Sequence, residues 1–547
     1  MRKLIFVLYL LFAVFTSLMA GDYEELQKLV ASDRATDDLF AFSASISGDY
    51  AIVGAYAEDE DASGNNTLNM AGSAYIFMRN GTSWDQQAKI VASDRDAYDG
   101  FGYSASISDD YAIVGAYAED EDASGNNTLN MAGSAYIFMR NGTSWDQQAK
   151  IVASDRTRGD VFGSIVSISG DYAIVGVRDE DEDASGNNTL SMAGSAYIFM
   201  RNGTSWDQQA KIVASDRDAY DGFGHSVSIS DDYAIVGARD EEQDASGNNT
   251  LEGAGSAYIF YRDGSTWAQQ TKIVASDRAA GDRFGNSVSI SGDYAIVGAP
   301  GEDEDASGND TLTSAGSAYI FKRDGTSWSQ QAMIVASDRG ERDEFGNSVS
   351  ISDDYAIVGA AHESEDASGN NTRKYAGSAY IFMREGTNWT QQAKIVASTR
   401  SMYDLFGYSA SISGDYAIVG VPGEEEDASG NNYMASAGSA YIFSLHTIED
   451  KITIPENDIP QEFSLNQNYP NPFNPTTTIS YQLSAQSDVE LSIFDINGKL
   501  VETLVNDHVS AGYYNVNWDV SNVNSGIYFY RLQAGDLIDT KKMVFMK

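Results

Sequence analysis

The chain repeats one pattern of hydrophobic and polar residues seven times. Each unit holds four short runs rich in Ile, Val, Tyr and Phe, and turns rich in Gly, Asp, Ser and Asn separate them. Such runs are typical of β-strands, and the turns suit antiparallel hairpins. In the first unit the predicted strands are Ser43–Ser47, Tyr50–Ala55, Ser73–Arg79 and Gln87–Ser93. The pattern predicts an all-β fold with four antiparallel strands in each unit.

A phenylalanine marks the period of the repeat. It recurs at every 61st residue, as Phe40, Phe101, Phe162, Phe223, Phe284, Phe345 and Phe406. Four antiparallel strands repeated at a fixed period are typical of the blades of a β-propeller. We therefore predict a seven-bladed propeller over residues 21–446.

The two ends of the repeat region complement each other. The last unit stops after Tyr441-Ile442-Phe443 and has no fourth strand, whereas residues 23–30 align one period back from residues 84–91. An N-terminal strand that completes the last blade closes the ring and removes a free sheet edge. We predict this closure, with the N-terminal strand as the outer strand of the seventh blade.

The recurring motifs resemble a known family. Phe-Gly, a hydrophobic hairpin and then Gly298-Ala299-Pro300 are similar to the FG-GAP repeats of integrin-α-like propellers. The segments ASDR…D-x-F-G and GSAYIF resemble the bacterial subgroup of these repeats. The resemblance implies a seven-bladed propeller with an adhesive or ligand-binding role, and it names no particular ligand.

Charge and composition restrict the partners. The formal net charge is −45, the chain has no cysteine, and hydrophobic residues make up 42% of it. Such a polyanion repels phosphates, so we expect no nucleic-acid partner. Disulfides and thiolate metal sites are excluded. Cations, basic partners and neutral glycans remain open, and the ligand is expected to be an extracellular glycan or protein that the sequence does not identify.

An acidic loop follows the second strand of each unit. In the first unit it contains Glu58–Thr67. Four of these loops keep Asp-x-Asp-x-Ser-Gly, which matches the opening of an oxygen-rich calcium loop. The predicted Ca²⁺ ligands are Asp59, Asp61, Asp120, Asp122, Asp181, Asp183, Asp303 and Asp305. Met70 stands where an EF-hand has its bidentate Glu, so the loop is not an EF-hand. The alternative is a solvated loop whose Asp and Arg residues form turn hydrogen bonds and ion pairs.

Sequence patterns give little support to an enzyme. An active site needs one unique set of catalytic residues, whereas the carboxylate pairs of this chain are repeated seven times. His225 and His362 lie at variable repeat positions and are interpreted as surface substitutions. We expect no catalytic activity. The alternatives are an extracellular polysaccharide-acting enzyme and a purely structural envelope component. The recurring tryptophans, such as Trp84, are predicted to pack between blades rather than to form a sugar-stacking platform.

Residues 1–20 have a short basic start, an apolar run and Ala20 before polar residues. This pattern is typical of a cleaved signal peptide, and a single membrane anchor is the alternative. No later segment approaches the roughly 20 apolar residues of a membrane span. We predict export from the cytoplasm and no transmembrane span after removal of the leader.

The last hundred residues differ from the repeats. Pro455 and Pro460 indicate a linker over residues 447–462, and residues 463–547 form a separate domain predicted to be a small Ig-like β-sandwich. Five strand-like runs lie in it: Thr477–Leu483, Val489–Asp495, Lys499–Val505, Tyr513–Asp519 and Ile527–Leu532.

The motifs of this domain resemble a sorting signal. NYPNPFNPTTTISYQL, then LSIFDINGKLVETL, GYYNVNWD, SGIYFYRL and the basic end KKMVFMK are similar to the type A sorting domain of the type IX secretion system. The resemblance implies recognition by that machinery and delivery to the outer surface of a Gram-negative bacterium or to the medium, commonly with removal of the tail. An ordinary Ig-like module is the alternative.

Overall fold

The computed structural model describes residues 23–445 and 463–545, apart from positions 66, 127, 188, 249, 306, 309–311, 371, 469–470, 472, 474–475, 485–486, 510–511, 520–524 and 536. The chain divides into two compact units, Met1–Thr447 and Ile448–Lys547. The predicted signal peptide (1–20) and linker (447–462) lie outside the described residues. Within the described ranges, no helix is long and apolar enough to cross a membrane.

The first unit consists of seven four-stranded antiparallel sheets, one for each repeat. Blade 1 contains β2 (Ser43–Ser47), β3 (Tyr50–Ala55), β4 (Ser73–Asn80) and β5 (Ser83–Ile90); blade 2 contains β6 (Phe101–Ser108), β7 (Tyr111–Ala116), β8 (Ser134–Asn141) and β9 (Ser144–Ile151); blade 3 contains β10 (Ile165–Ser169), β11 (Tyr172–Val177), β12 (Ser195–Asn202) and β13 (Ser205–Ile212).

The later blades repeat this order. Blade 4 contains β14 (Ser226–Ser230), β15 (Tyr233–Ala238), β16 (Ser256–Asp263) and β17 (Thr266–Ile273); blade 5 contains β18 (Ser287–Ser291), β19 (Tyr294–Ala299), β20 (Ser317–Asp324) and β21 (Ser327–Ile334); blade 6 contains β22 (Ser348–Ser352), β23 (Tyr355–Ala360), β24 (Ser378–Glu385) and β25 (Asn388–Ile395).

Blade 7 is built from both ends of the repeat region. It contains β26 (Ser409–Ser413), β27 (Tyr416–Val421), β28 (Ser439–Ser444) and, as its outer strand, β1 (Glu24–Leu29). In the antiparallel pair, Lys28 lies opposite Tyr441. The predicted closure of the seventh blade by the N-terminal strand is confirmed.

The fourth strand of each blade starts earlier than predicted. In blade 1 it begins at Ser83 rather than at Gln87. Gly81 adopts a positive φ of 66°, which tightens the turn and pairs Asn80 with Ser83. The turn residues therefore extend the hairpin into a stretch whose polar side chains gave no strand signal.

The inner strands of the seven blades contact one another in a closed cycle. A backbone N–H of each inner strand donates to a serine Oγ of the preceding blade at 3.2–3.3 Å. The seven bonds run from Ile46 to Ser411, Ile107 to Ser45, Ile168 to Ser106, Ile229 to Ser167, Ile290 to Ser228, Ile351 to Ser289 and Ile412 to Ser350. Because blade 1 bonds to blade 7, the sheets form a seven-bladed propeller.

Two recurring glycines allow neighbouring blades to meet. The first is present in all seven repeats and the second in six, with Ala41 in its place in the first repeat. A Cβ on Gly54 would lie 2.0 Å from the carbonyl oxygen of Gly102 in the next blade. Gly102 itself has a φ of +94°, a conformation that side chains rarely adopt. Steric contact between blades thus explains both glycines of the motif.

Aromatic side chains fill the space between blades. Phe40 is fully buried and contacts the ring of Tyr75 edge-on at 5.4 Å. Each of six repeat tryptophans contacts a tyrosine of another blade at 5.8–6.0 Å, which confirms packing between blades. The pairs are Trp84 with Tyr416, Trp145 with Tyr50, Trp206 with Tyr111, Trp267 with Tyr172, Trp328 with Tyr233 and Trp389 with Tyr294.

The second unit is a two-sheet sandwich, as predicted. One sheet has the order β29-β30-β33 and the other β32-β31-β34-β35. The bounds are β29 (Ser464–Leu465), β30 (Thr476–Leu483), β31 (Ser487–Asp495), β32 (Leu500–Val509), β33 (Gly512–Asp519), β34 (Gly526–Ala534) and β35 (Leu537–Phe545).

The last strand of the sandwich was not among the predicted strands. β35 pairs with β34 and buries Met543 and Phe545 in the common core. The Phe545 ring lies 5.3 Å from Phe473 of the proline-rich motif. Residues 541–545 of the basic terminal segment are therefore part of an integral strand of this unit.

Candidate functional site

The predicted calcium ligands shape their own loops. Asp61 Oδ1 accepts the backbone N–H groups of Ser63 (2.8 Å) and Asn65 (3.1 Å). These bonds lower the pKa of the Asp61 carboxyl below its usual range. Asp59 Oδ1 accepts the N–H of Met70 at 2.8 Å. Both carboxylates therefore act as turn-forming acceptors.

The other predicted ligands lie in equivalent positions. The second aspartate of each loop accepts the backbone N–H of the serine two residues later, as seen for Asp122, Asp183 and Asp305. The first aspartate accepts the backbone N–H of the residue eleven positions later, as seen for Asp120, Asp181 and Asp303. Among the described residues, the three carboxylates close enough to share an ion are instead Asp338, Glu363 and Glu365. The Lys394 ammonium already lies 2.7 Å from Asp338 and 3.0 Å from Glu363. Calcium binding by the acidic loops stays a prediction.

The acidic loop and the connection to the next blade lie on one face of the propeller. Arg95 Nη2 donates to the carbonyl oxygen of Asp59 at 2.9 Å. The backbone N–H of Phe101 donates to the carbonyl oxygen of Ala71 at 3.1 Å. These bonds hold the start of each inner strand beside the acidic loop of the preceding blade.

A buried polar network, which no sequence motif predicted, lies beneath each acidic loop. In blade 1 the Tyr75 hydroxyl donates to Glu58 and contacts Asp33, both at 2.9 Å. Lys89 Nζ lies 2.7 Å from Asp33 and 3.5 Å from Glu58, with 5% of its side chain exposed. The joint recurrence of this Tyr, Glu and Lys at fixed positions was the available signal.

Two blades depart from this network. In blade 5, Met333 replaces the lysine, and burial raises the pKa of Glu302. In blade 7, Thr399 replaces the aspartate and accepts a hydrogen bond from Lys28 Nζ at 3.1 Å. Both blades keep the bond from the network tyrosine to the network glutamate, Tyr319 to Glu302 and Tyr441 to Glu424.

The aspartate two residues before each repeat phenylalanine is also buried. Its carboxylate accepts the backbone N–H three residues earlier, as in Asp99, which accepts from Asp96 at 2.6 Å. Burial, and then repulsion from the adjacent network glutamate in most copies, raises its pKa to about 6–8. The seven copies are Asp38, Asp99, Asp160, Asp221, Asp282, Asp343 and Asp404.

The repeats differ in side-chain chemistry near the start of each inner strand. Two positions vary in kind from blade to blade, although the strands around them are nearly identical. The first lies two residues after the repeat phenylalanine and holds Phe42, Tyr103, Ser164, His225, Asn286, Asn347 and Tyr408. The second follows Gly-Ala or Gly-Val and holds Tyr56, Tyr117, Arg178, Arg239, Pro300, Ala361 and Pro422.

Residues from the inner strands of all seven blades line one cavity of 590 Å³. This volume lies within the range of about 300–1,000 Å³ typical of small-ligand pockets. The cavity lies at the mouth of the central channel, on the face that carries the acidic loops. We call it the channel mouth, defined by the seven residues that lie two positions after the repeat phenylalanines together with Tyr117, Arg178 and Arg239.

Blades 7, 1 and 2 give the channel mouth an aromatic side. The Phe42 ring lies 4.7 Å from Tyr56, 4.8 Å from Tyr103 and 4.9 Å from Tyr408. Tyr103 in turn lies 4.6 Å from Tyr117. The five rings form one continuous cluster, which we call the aromatic arc.

Blades 3 and 4 give the channel mouth a cationic side. Arg178 Nε contacts Asp179 at 3.2 Å, and Arg239 Nη1 donates to Asn286 Oδ1 at 3.3 Å. Burial and the two arginines lower the pKa of His225 to about 3, so its imidazole is neutral. The interpretation of His225 as a surface substitution is therefore wrong, because it lines the cavity. His362 lies elsewhere and contacts Glu344 at 3.0 Å.

Comparison with known proteins agrees with this architecture. The FG-GAP repeat family matches residues 23–77, 84–138, 145–199, 206–260, 267–321, 328–382 and 389–443, and the secretion system C-terminal sorting domain matches residues 467–546. The search of curated proteins found no match.

One solved structure with similarity is that of PorZ, described as an essential bacterial surface component of the type-IX secretion system of Porphyromonas gingivalis. It is 10% identical, the match covers 93% of this chain and 81% of that chain, and the TM-score is 0.15. A likeness at this level carries no argument about function. The family matches, in contrast, cover well over half of the chain. The chain belongs to the FG-GAP repeat family and ends in a type IX secretion sorting domain, which indicates export to the cell surface or the medium.

Proposed function

We propose that this exported propeller is a non-catalytic binding module that takes its ligand at the channel mouth. The sorting domain gives the location outside the cell, and the propeller is the part that is delivered. Adhesion to a surface glycan or protein is the role that this arrangement supports best.

The differentiation of the blades carries the proposal. Strands and loops are nearly identical in all units, yet the channel mouth has an aromatic side and a cationic side. A purely structural ring has no need for such asymmetry. A concave pocket with aromatic walls and a few convergent polar groups is typical of ligand sites.

The chemistry of the channel mouth favours binding over catalysis. The neutral His225 is a weak base, because its pKa is about 3. Asp179 lies 3.2 Å from Arg178, and Asp240 lies 3.5 Å from Arg239. Each of these carboxylates is therefore engaged by a guanidinium group.

A glycan array of neutral and acidic oligosaccharides, probed with the mature chain, tests the proposal. The variant Arg178→Gln/Arg239→Gln should lose the signal on every bound glycan. The control Arg158→Gln changes one exposed arginine of a connecting loop and should keep it. Equal binding by the double variant would contradict the proposal, as would release of reducing sugar from a bound glycan by the wild type.

Calcium binding by the acidic loops is a separate proposal. The Asp61 carboxylate is ionised, because backbone N–H groups hold its pKa low. The same hydrogen bonds hold its loop in a turn. A bound ion stabilises the fold in proportion to RT ln(1+[L]/Kd). The melting temperature should therefore rise with millimolar calcium, and less so in Asp59→Asn/Asp61→Asn. An unchanged melting temperature would contradict the proposal.

A further inference from the structure

We propose that the channel mouth binds a saccharide that carries a single carboxylate, that is, the uronic-acid end of an acidic glycan. This inference rests on the proposed function and adds the class of ligand. It follows from three groups of residues that line one cavity: a cationic group, an aromatic group and a group of amides and hydroxyls.

The cationic side supplies the anchor for a carboxylate. Arg178 and Arg239 come from adjacent blades and both line the cavity. Arg178 Nε contacts Asp179, and Arg239 donates to Asn286 and lies 3.5 Å from Asp240, so each guanidinium group is oriented by polar neighbours. A guanidinium group held in this way offers paired N–H donors that match the geometry of a carboxylate.

The charge of the cavity suits one negative group. Its lining includes the two arginines, the carboxylate of Asp179 and the neutral His225. The Asp240 carboxylate lies outside the lining, 3.5 Å from Arg239. The lining side chains alone thus carry an excess of one positive charge, in a chain of net charge −45. Acidic loops on the same face repel a ligand with many charges. A single carboxylate therefore fits better than a polyanion.

The aromatic arc lies on the other side of the same cavity. Tyr103, Tyr117 and Phe42 present a continuous wall of rings with centroids 4.6–4.8 Å apart. The C–H faces of a pyranose ring are apolar and pack on aromatic side chains, as other flat apolar surfaces do. The wall thus recognises the body of the sugar, and the arginines recognise its acid.

Blades 5 and 6 complete the cavity with amide groups. Asn286 and Asn347 follow the Phe-Gly pair there, and Ser164 lies at the same position in blade 3. Asn286 is oriented by its bonds to Arg239 and to the carbonyl oxygen of Asn347. Amides and hydroxyls can donate to and accept from sugar hydroxyls. A purely aromatic acid has no hydroxyls for these groups, so they favour the saccharide.

Titration calorimetry of the mature chain tests the inference. The probes are a disaccharide with a terminal glucuronic acid and the neutral disaccharide with glucose in its place. The acidic probe should bind about tenfold or more tightly than the neutral one, because charge-assisted hydrogen bonds are lost with the carboxylate. Arg239→Gln should weaken binding of the acidic probe by a similar factor, and Arg158→Gln should leave it unchanged.

A second variant separates the aromatic contribution from folding. Tyr103→Leu should weaken both probes, and the melting temperature of each variant shows whether the fold is intact. Equal binding of the two probes, or no effect of Arg239→Gln on an intact fold, would overturn the inference. If the array detects a ligand that depends on the channel mouth but neither disaccharide binds, the inference is wrong and the proposed function stands. If no ligand depends on the channel mouth, both fail.

Discussion

The backbone N–H of Ile46 donates to the side-chain hydroxyl of Ser411 at 3.2 Å, across the seam between the first and the last blade. The same bond joins every other pair of neighbouring blades. The seam is therefore chemically equivalent to the six junctions where the chain runs on continuously. Together with β1 in the seventh blade, this bond makes the ring uniform, although its two residues are 365 positions apart in the chain.

Removing one of these serine hydroxyls should lower the free energy of unfolding by the same amount at every junction between blades. Ser411→Ala at the seam and Ser45→Ala at the junction with blade 2 each leave one N–H without its side-chain acceptor. We expect each to lower the free energy of unfolding by about 1–3 kcal/mol. Urea unfolding measures the loss.

The exposed Ser63 provides the control. Ser63→Ala keeps the backbone N–H that Asp61 accepts, so the unfolding midpoint should stay within error. A large effect at Ser411 with none at Ser45 would contradict the equivalence of the junctions.

Blade 5 offers a substitution that should stabilise the protein. Met333→Lys places an ammonium where six other blades have one, beside the buried Glu302. We expect a gain of about 1–3 kcal/mol at pH 7, because the carboxylate acquires a partner. The gain should shrink as the pH falls through the raised pKa of Glu302, since a protonated carboxyl has no charge to pair. Chemical unfolding at pH 7 and pH 4 measures both values.

The reverse change in blade 1 gives the matched comparison. Lys89→Met leaves Asp33 and Glu58 without their cation and should cost about 3–5 kcal/mol at pH 7. Met402→Lys adds the same charge at a side chain that is 63% exposed and should change little. A destabilised Met333→Lys protein would show that the network does not need the lysine.

The buried aspartates give stability a definite dependence on pH. Asp38 has a folded pKa of about 7, above its unfolded value of about 3.8. Between these values the folded protein holds a proton that the unfolded chain has released. The free energy of unfolding therefore falls as the pH rises from about 4 through about 8. The exposed Asp61 has a lowered pKa and contributes in the opposite sense, with its stabilisation lost as the pH falls below about 4.

Urea midpoints at pH 5 and pH 8 test this dependence. The protein should be more stable at pH 5, and Asp38→Asn should reduce the difference because one of the seven titrating groups is gone. Asp85→Asn, at an exposed strand position, should leave the difference as it is. Higher stability at pH 8 than at pH 5 would contradict the assignment.

Periodicity was sufficient to predict the fold, because seven units in register leave one way to bury their hydrophobic faces. Ser43–Ser47 and Tyr50–Ala55 were predicted with the bounds that the structure has. The start of the fourth strand at Ser83 was missed, because turn geometry at Gly81 sets it rather than hydrophobicity. Strand β35 was missed because its Lys and Asp residues gave a weak alternating pattern.

The candidate site was harder to predict for a physical reason. Sequence reasoning favoured the residues that repeat, such as Asp59 and Asp61, and these side chains prove to form turns. The channel mouth is built from residues that do not repeat, including His225 and Arg239. Their neighbours come from seven separate segments, and only the closed ring brings them together.

The sorting domain should be required for delivery outside the cell. A chain that ends at Leu445 lacks the matched sorting domain and should accumulate in the periplasm of the native host. Cell fractionation with an antibody to the propeller measures the location. The full chain is the control, and export of the truncated chain at the normal level would contradict the role of the tail.

The most direct test of the central claim is a crystal structure of the propeller soaked with a glycan that the array identifies. The account predicts ligand density in the channel mouth, with the sugar against Tyr103 and Tyr117 and polar contacts to Arg178 or Arg239. Density on the acidic loops, with the channel mouth free of ligand, would contradict it.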